Sequence, residues 1–319
     1  MTHFDVFNGD ADGLCALHQL RLVTPKDAVL VSGVKRDIAL LQRVPRTQAG
    51  DSVTVLDLSL AVNLPALLSL LEAGLRVEYF DHHFAGDLPD HPNLTAMIDP
   101  SPDTCTGILV DRHVGGRYRI WAVVAAYGDN LTRVADDLAK PLGLSAPQRE
   151  DLRELGATLA YNAYADVETD LIVHPVALYR TLAHHTDPFE FMRAEPVYRR
   201  ISECRRDDLR MAHLEEPELA LPGATVYVLP DESWSRRVRG SFANELANRT
   251  PDLAHAVLTH NARQGYTVSV RTPLVKATGA DALCRKFPTG GGRVGAAGIN
   301  HLPKERLPEF VRELDRAFS

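Results

Sequence analysis

Apolar positions in the first part of the chain occur in short runs that alternate with helical patterns. Four runs have the length and composition of buried strands: residues 4–7, 28–32, 53–57 and 76–80. Between them, Gly13–Val23 and Leu64–Ala73 have apolar residues at the spacing of an amphipathic helix. Strand–helix alternation predicts an α/β domain with a parallel sheet covered by helices.

The pattern changes along the rest of the chain and predicts a second domain. From Trp121 to His185 it is mostly helical, and a charged, proline-containing stretch follows. A smaller α/β unit comes next, with strands predicted at 225–229, 254–260 and 266–271 and helices at 238–249 and 276–287. We therefore predict an N-terminal domain over 1–186, a helical connector over 187–218 and a C-terminal domain over 219–319.

Charge separates the two halves of the chain. The 319 residues carry a net charge of −7, which disfavours binding of long duplex nucleic acid. Residues 1–187 have 15 Lys and Arg against 25 Asp and Glu, whereas residues 188–319 have 20 against 17. An acidic first half suits a cation and an arginine-rich second half suits a phosphate, although solvated surfaces would explain both.

Compartment signals point to the cytoplasm. The sequence has no apolar stretch long enough to cross a bilayer and no signal-peptide pattern at its start, so we expect no membrane association. Four cysteines are far apart, and none forms a CxxC pair. We therefore expect free thiols in a reducing compartment.

Acidic residues follow the predicted strands. Asp10-Ala11-Asp12-Gly13 comes after the first strand, and Asp57 ends the third. Open α/β sheets bind ligands at the carboxyl ends of their strands, and paired carboxylates at these strand ends suit a cation. The alternative for each is a helix cap, in which the carboxylate only accepts hydrogen bonds from backbone N–H groups.

Two further clusters add histidine and a fourth carboxylate. Asp81-His82-His83 follows the fourth strand, where one imidazole can bind a metal and the other a phosphate oxygen. Asp129 ends a largely apolar helical stretch and has a turn residue as its alternative.

The C-terminal domain carries candidate phosphate-binding residues. Three glycines, Gly290, Gly291 and Gly292, precede a predicted helical segment and would expose backbone N–H groups to a phosphate. A flexible hinge is the alternative. Arg271, at a strand end, is a second candidate, and Arg293 follows the glycines.

The chain resembles the DHH phosphoesterase superfamily. The four motifs of that superfamily correspond, in order, to Asp10-Ala11-Asp12-Gly13, Asp57, Asp81-His82-His83 and Asp129. Ser269–Arg271 and Gly290–Gly298 resemble the substrate motifs of its DHH-associated C-terminal domain, a domain that pyrophosphatases of the superfamily lack. The resemblance covers nearly the whole chain and implies two divalent ions, usually Mn²⁺, with Mg²⁺ as an alternative.

The resemblance also implies roles for individual residues. Asp57 would bridge both ions, Asp12, His82 and Asp129 would complete one site, and Asp10 would belong to the other. Hard carboxylate ligands suit these ions.

Catalysis would involve Asp57, Asp81 and His83, with His83 near the phosphate as a hydrogen-bond donor or acid.

Two positions depart from the family. Val6 stands where a histidine usually binds the second ion, and Arg293 stands where histidine is frequent. The number of bound ions is therefore open.

We expect a metal-dependent phosphodiesterase that cleaves short linear oligonucleotides or dinucleotides to mononucleotides, as nanoRNases do. The alternatives are a cyclic-dinucleotide phosphodiesterase and, in a different class, a non-catalytic nucleotide sensor. A processive exonuclease for long strands is disfavoured by the acidic charge. The oligomeric state is open, with a homodimer as one alternative.

Overall fold

Two compact units make up the chain. A computed structural model describes residues 1–45 and 47–319. The described chain divides into Met1–Ser202 and Glu203–Ser319. Each unit has its own β-sheet and its own apolar core.

The first unit is built on a parallel sheet that has five strands over the described residues. The strands are β1 (His3–Phe7), β2 (Val29–Val31), β3 (Ser52–Leu56), β4 (Arg76–Asp81) and β5 (Leu94–Ile98). They lie in the order β2-β1-β3-β4-β5, and every neighbouring pair is parallel. The predicted parallel-sheet domain is confirmed, and β5 is an additional strand that the apolar pattern did not predict.

Helices cover this sheet and extend beyond it. They are α1 (Ala11–Val23), α2 (Leu60–Glu72), α3 (Thr106–His113), α4 (Arg119–Gly128), α5 (Thr132–Ala139), α6 (Ala146–Ala163), α7 (Pro175–Leu182) and α8 (Pro188–Ala194). One further helix, α9 (Pro196–Ala212), runs from the first unit into the second. The predicted connector is therefore helical.

The core of the first unit forms where apolar strand residues meet α2. Val6 and Val55 of β1 and β3 are fully buried beside Tyr79 of β4, and Leu67 and Leu71 of α2 pack in the same cluster. Burial of each such aliphatic side chain contributes about 1.5–3 kcal/mol. This packing fixes the strand ends from which the acidic residues project.

The second unit has a mixed sheet. Its strands are β6 (Leu219–Ala220), β7 (Ala224–Val228), β8 (Ala254–His260), β9 (Gly265–Arg271), β10 (Gly290–Gly292) and β11 (Ala296–Pro303). Its helices in the described chain are α10 (Ser233–Arg249), α11 (Ala280–Cys284) and α12 (Leu307–Phe318). The strand order is β10-β11-β9-β8-β7-β6, with β7 and β8 parallel and the other pairs antiparallel.

The glycine triplet departs from its predicted setting. The helix predicted over 276–287 is only the short α11, and the triplet is strand β10, which is followed by strand β11 and not by a helical segment. Gly291 pairs with Gly298 across these two strands. Glycine has low strand propensity, so pairing with β11 and not local preference makes this strand.

Two simpler expectations can be compared with the fold. No helix in the described ranges is long and apolar enough to cross a membrane. Cys15, Cys105, Cys204 and Cys284 are free thiols, as predicted.

Candidate metal centre

The carboxyl ends of β1, β3 and β4 bring the acidic clusters together. Asp57 directly follows β3, and Asp81 is the last residue of β4. The Nε2 atom of His82 lies 3.3 Å from Oδ1 of Asp57, 3.9 Å from Oδ2 of Asp12 and 4.0 Å from Oδ2 of Asp129. Three carboxylates that are far apart in sequence therefore surround one imidazole.

Backbone N–H groups hold the first two carboxylates. Asp10 is the N-cap of α1, where its Oδ1 accepts hydrogen bonds from the N–H groups of Asp12 and Gly13 at 3.0 and 3.2 Å. Asp12 accepts from the N–H groups of Thr106 and Gly107, at 2.8 and 2.7 Å, at the start of α3. The capping interpretation of Asp10 is therefore confirmed, and it coexists with a place in the cluster.

Asp57 has an unusual backbone. Its φ is +59°, in the left-handed region that few residues other than glycine adopt. Its N–H donates to the carbonyl of Phe80 at 3.0 Å, which fixes this turn at the strand end. Helix α2 begins at Leu60 and has Ser59 as its N-cap, so the helix-cap alternative for Asp57 is wrong. Strained backbone of this kind costs on the order of 1 kcal/mol and is frequent at functional sites.

His83 stands at the solvent side of the cluster. Its Nδ1 lies 2.7 Å from Oδ1 of the fully buried Asp81, and its ring packs against that of His82 with centroids 4.5 Å apart. Burial lowers the pKa of His83, but the hydrogen bond with Asp81 and the charge of Asp57 outweigh burial and raise this pKa above its ordinary value. A protonated His83, 43% exposed, would be able to donate to an anionic ligand.

The carboxylates of the cluster are buried and close together, so a nearby positive charge would stabilise their ionised forms. Burial, followed by the charges of Asp12 and Asp10, raises the pKa of Asp57 well above its usual range. Burial also raises the pKa of Asp12, with the charges of Asp129 and Asp10 acting in the same direction. Buried carboxylates that repel one another in this way are stabilised by a cation.

Sequence reasoning missed one cation that is already present. The ammonium of Lys35 forms an ion pair with Oδ2 of Asp10, lies 3.8 Å from Oδ1 of Asp129 and sits 5.3 Å from the ring centroid of Tyr164. Burial raises the pKa of Asp10, but Lys35 outweighs it, so this pKa lies below its ordinary value. Nothing in the local sequence around Lys35 distinguishes it from a surface lysine.

The residues present fit a divalent ion at one position. Ligand atoms of Asp57, His82 and His83 lie within 4.8 Å of one another, and the oxygens of Asp12 and Asp129 lie about 4 Å from His82. Carboxylate oxygens with an imidazole nitrogen suit Mn²⁺ or Mg²⁺. Val6, at the position where the family usually has a histidine, is buried in the apolar core.

The candidate substrate residues lie together in the second unit. Arg271 is held by Oδ1 of Asn244 at 2.5 Å and by Oγ of Ser269 at 3.0 Å. On the neighbouring strand, Gly298 pairs with Ser269 on one side and with Gly291 of β10 on the other. Arg293 is exposed in the turn between β10 and β11. The predicted roles of these residues, and of the acidic cluster, stay predictions.

Comparison with known proteins defines the fold. No family model and no curated protein matches the chain. Among solved structures, exonuclease RecJ bound to manganese is similar with a TM-score of 0.63 and 18% identity, over 99% of this chain and 89% of that one. RecJ from Thermus thermophilus in complex with Mn²⁺ gives 0.66 and 17%, over 99% of this chain and 51% of that one.

A smaller enzyme is also similar. The pGpG-specific phosphodiesterase PggH from Vibrio cholerae has a TM-score of 0.57 and 13% identity, over 99% of this chain and 98% of that one. The chain therefore has the two-domain α/β fold of RecJ and PggH, which confirms the predicted fold class. It spans about half the length of the Thermus RecJ chain.

Proposed function

We propose that this protein is a DHH-family phosphoesterase that uses Mn²⁺, or Mg²⁺ in its place, to hydrolyse short linear oligonucleotides or dinucleotides to mononucleotides. One observation carries the proposal: Asp12, Asp57 and Asp129 surround His82 at the carboxyl edge of a parallel sheet. RecJ structures of the same fold hold Mn²⁺ or Mg²⁺, which supports the choice of metal.

The chemistry follows from the groups at this edge. A bound divalent ion supplies a Lewis acid and lowers the pKa of water bound to it. Asp57, Asp12, His82 and Asp129 would hold the ion, and Asp10 would lie beside it. His83, oriented by Asp81, would donate a hydrogen bond or a proton to a phosphate oxygen.

The second unit supports a phosphate-bearing substrate. The guanidinium of Arg271 is held in a fixed orientation by Asn244 and Ser269, which preorganises its positive charge for a phosphate-bearing ligand. A side chain added at Gly291 would meet no atom within 4 Å, so a ligand has access to this strand. We assign phosphate binding to Arg271, Arg293 and the backbone of Gly290–Gly292.

Substrate length is the finer part of the proposal. PggH, named for a linear dinucleotide, has nearly the same chain length as this protein, since the similarity spans 98% of it. The acidic charge of −7 also favours a short ligand. The alternatives are a cyclic-dinucleotide phosphodiesterase and, since exonuclease RecJ has the same fold, an exonuclease for longer strands. Four free thiols support a cytoplasmic location.

A substrate panel tests the proposal. With Mn²⁺, we expect the linear dinucleotide to be cleaved at least tenfold faster than a long oligonucleotide, a cyclic dinucleotide or pyrophosphate, and excess chelator to abolish the reaction. Asp57→Ala should remove the activity, which controls for a contaminating nuclease. Faster cleavage of the long strand would favour the RecJ-like activity. Tight dinucleotide binding without cleavage in any metal would favour a nucleotide sensor and overturn the proposal.

A further inference from the structure

The side chain of Lys35 enters the acidic cluster from outside the family motifs. Its backbone is fixed, because its N–H donates to the carbonyl of Ala163 at 3.0 Å. The ammonium then meets Asp10, Asp129 and the face of Tyr164. Carboxylates on two sides and an aromatic face on a third make a cation-binding cage that this ammonium fills.

The ammonium of Lys35 pairs with the carboxylate oxygen of Asp10 that a second ion would need as a ligand. Oδ1 of Asp10 accepts the N–H groups of Asp12 and Gly13 as the cap of α1, so Oδ2 is the oxygen that points into the cluster. That oxygen is the one paired with the ammonium of Lys35. A divalent ion at Asp10 would have to displace a lysine from a carboxylate that is only 3% exposed.

The remaining ligands for a second ion are also engaged. Val6 has a hydrocarbon side chain that packs in the apolar core, so it provides no ligand atom. The amide oxygen of Asn8 accepts the N–H of Asp10 at 3.3 Å, and its amide nitrogen lies 3.5 Å from the carbonyl oxygen of Lys35. The loop that carries Asp10 and the segment that carries Lys35 are therefore packed as one structure around this ion pair.

We propose that the protein binds one divalent ion, and that the ammonium of Lys35 occupies the place of the second. This inference rests on the proposed function, because it needs a metal at Asp12, Asp57, His82 and Asp129. Lys35 would act as a positioned positive charge beside the ion, available to a phosphate oxygen on which negative charge develops. A covalently attached cation also cannot dissociate when free metal is scarce.

Metal stoichiometry and electron paramagnetic resonance test the inference without reference to turnover. For the wild-type protein, we expect calorimetry to give about one Mn²⁺ per chain and the spectrum to be that of an isolated ion. Lys35→Met keeps the length of the side chain, removes the charge and frees Oδ2 of Asp10. With Asp57 as a shared ligand, this variant should bind a second, weaker Mn²⁺ at high metal concentration and give a spin-coupled spectrum. Lys35→Arg keeps the charge and should still bind one.

Lys140→Met is the matched control, since Lys140 is 75% exposed and pairs with Asp137 at the surface; it should behave as the wild type does. Two coupled ions in the wild-type protein would overturn the inference and leave the proposed metal-dependent function standing. A folded Lys35→Met variant that still binds one ion would show that Lys35 does not occupy a metal position. No binding of Mn²⁺ by the wild-type protein would overturn the proposed function itself.

Discussion

Asp57 combines three properties that each lower stability. Its backbone is left-handed, its side chain is buried, and its carboxylate faces those of Asp12 and Asp10. The polar contact of this carboxylate with the hydroxyl of Thr106 is long, at 3.4 Å. A residue that is unfavourable on all three counts is expected where function and not folding determines its identity.

Asp57→Asn should therefore stabilise the metal-free protein while it abolishes hydrolysis. Asparagine tolerates the left-handed backbone and removes the buried charge, so we expect the free energy of unfolding to rise by about 1–2 kcal/mol. Denaturant unfolding with excess chelator measures this change. Asp103→Asn, at an exposed position, is the control and should leave stability unchanged. A loss of stability in Asp57→Asn would contradict this account of the residue.

At the scale of elements, α1 meets α4 through a buried histidine. The Nε2–H of His18 donates to the carbonyl of His185 at 2.8 Å, and its ring packs edge-on against Trp121. Burial lowers the pKa of His18 to about 4, although the hydrogen bond to His185 acts in the opposite direction. His18 is therefore neutral in the folded protein at neutral pH.

This neutral histidine makes stability depend on pH. Because the folded pKa lies below the unfolded value, its contribution is fully present above about pH 6.5 and is lost as the pH falls to about 4. The loss is on the order of 3 kcal/mol. His18→Gln can keep a donor to the carbonyl of His185 and has no titration, so its unfolding free energy should fall less than that of the wild type over this window. Parallel pH profiles of the two proteins would disprove the assignment.

Strands whose own residues form a continuous apolar run could be predicted from the sequence. β5 and β10 have no such run and could not be predicted. The sequence predicted β1, β3 and β4 nearly to the residue, because their side chains are buried on both faces and read as continuous apolar runs. β5 lies at the sheet edge and is only partly buried, so its pattern is weak. β10 consists of three glycines and has no side-chain pattern at all.

The candidate site was predictable wherever an acidic residue follows such a strand. Asp57 and Asp81 could be placed at one sheet edge because parallel strands end there together. The contact of Lys35 with Asp10 depends on where the segment after β2 returns to the sheet, which periodicity does not determine. The hydrogen bonds from Thr106 and Gly107 to Asp12 join residues more than 90 positions apart, so they could not be predicted from the local sequence either.

At the scale of the whole molecule, the two kinds of candidate chemistry belong to different units. The acidic cluster, Lys35 and the histidines lie within Met1–Ser202, whereas Arg271 and the glycine strand lie within Glu203–Ser319. Metal binding should therefore stabilise the first unit directly, because a ligand that binds only the folded state stabilises that state.

Hydrogen exchange followed by mass spectrometry measures where the stabilisation falls. Addition of Mn²⁺ at about 100 times its dissociation constant should protect the cluster-bearing loops and α1 of the first unit, by up to about 2.7 kcal/mol. Peptides from 219–319 should change little without a nucleotide. Asp57→Ala, which has no ligand atom at this position, is the control and should show little protection. Equal protection of both units would contradict a metal centre confined to the first.

The bonds that Asp12 accepts at the start of α3 have a consequence for comparing this chain with its relatives. Each carboxylate oxygen of Asp12 accepts one backbone N–H, from Thr106 or from Gly107. An asparagine at position 12 has the same shape, but its NH₂ group would face one of these N–H donors and leave that hydrogen bond unmade. A lineage that lost hydrolysis would still be selected to retain Asp12, because the fold needs a carboxylate at that position. Asp57 is under no such constraint and would drift to asparagine or glycine once the chemistry was lost. Among distant relatives, therefore, the residue at position 57 and not the residue at position 12 separates active enzymes from inactive descendants.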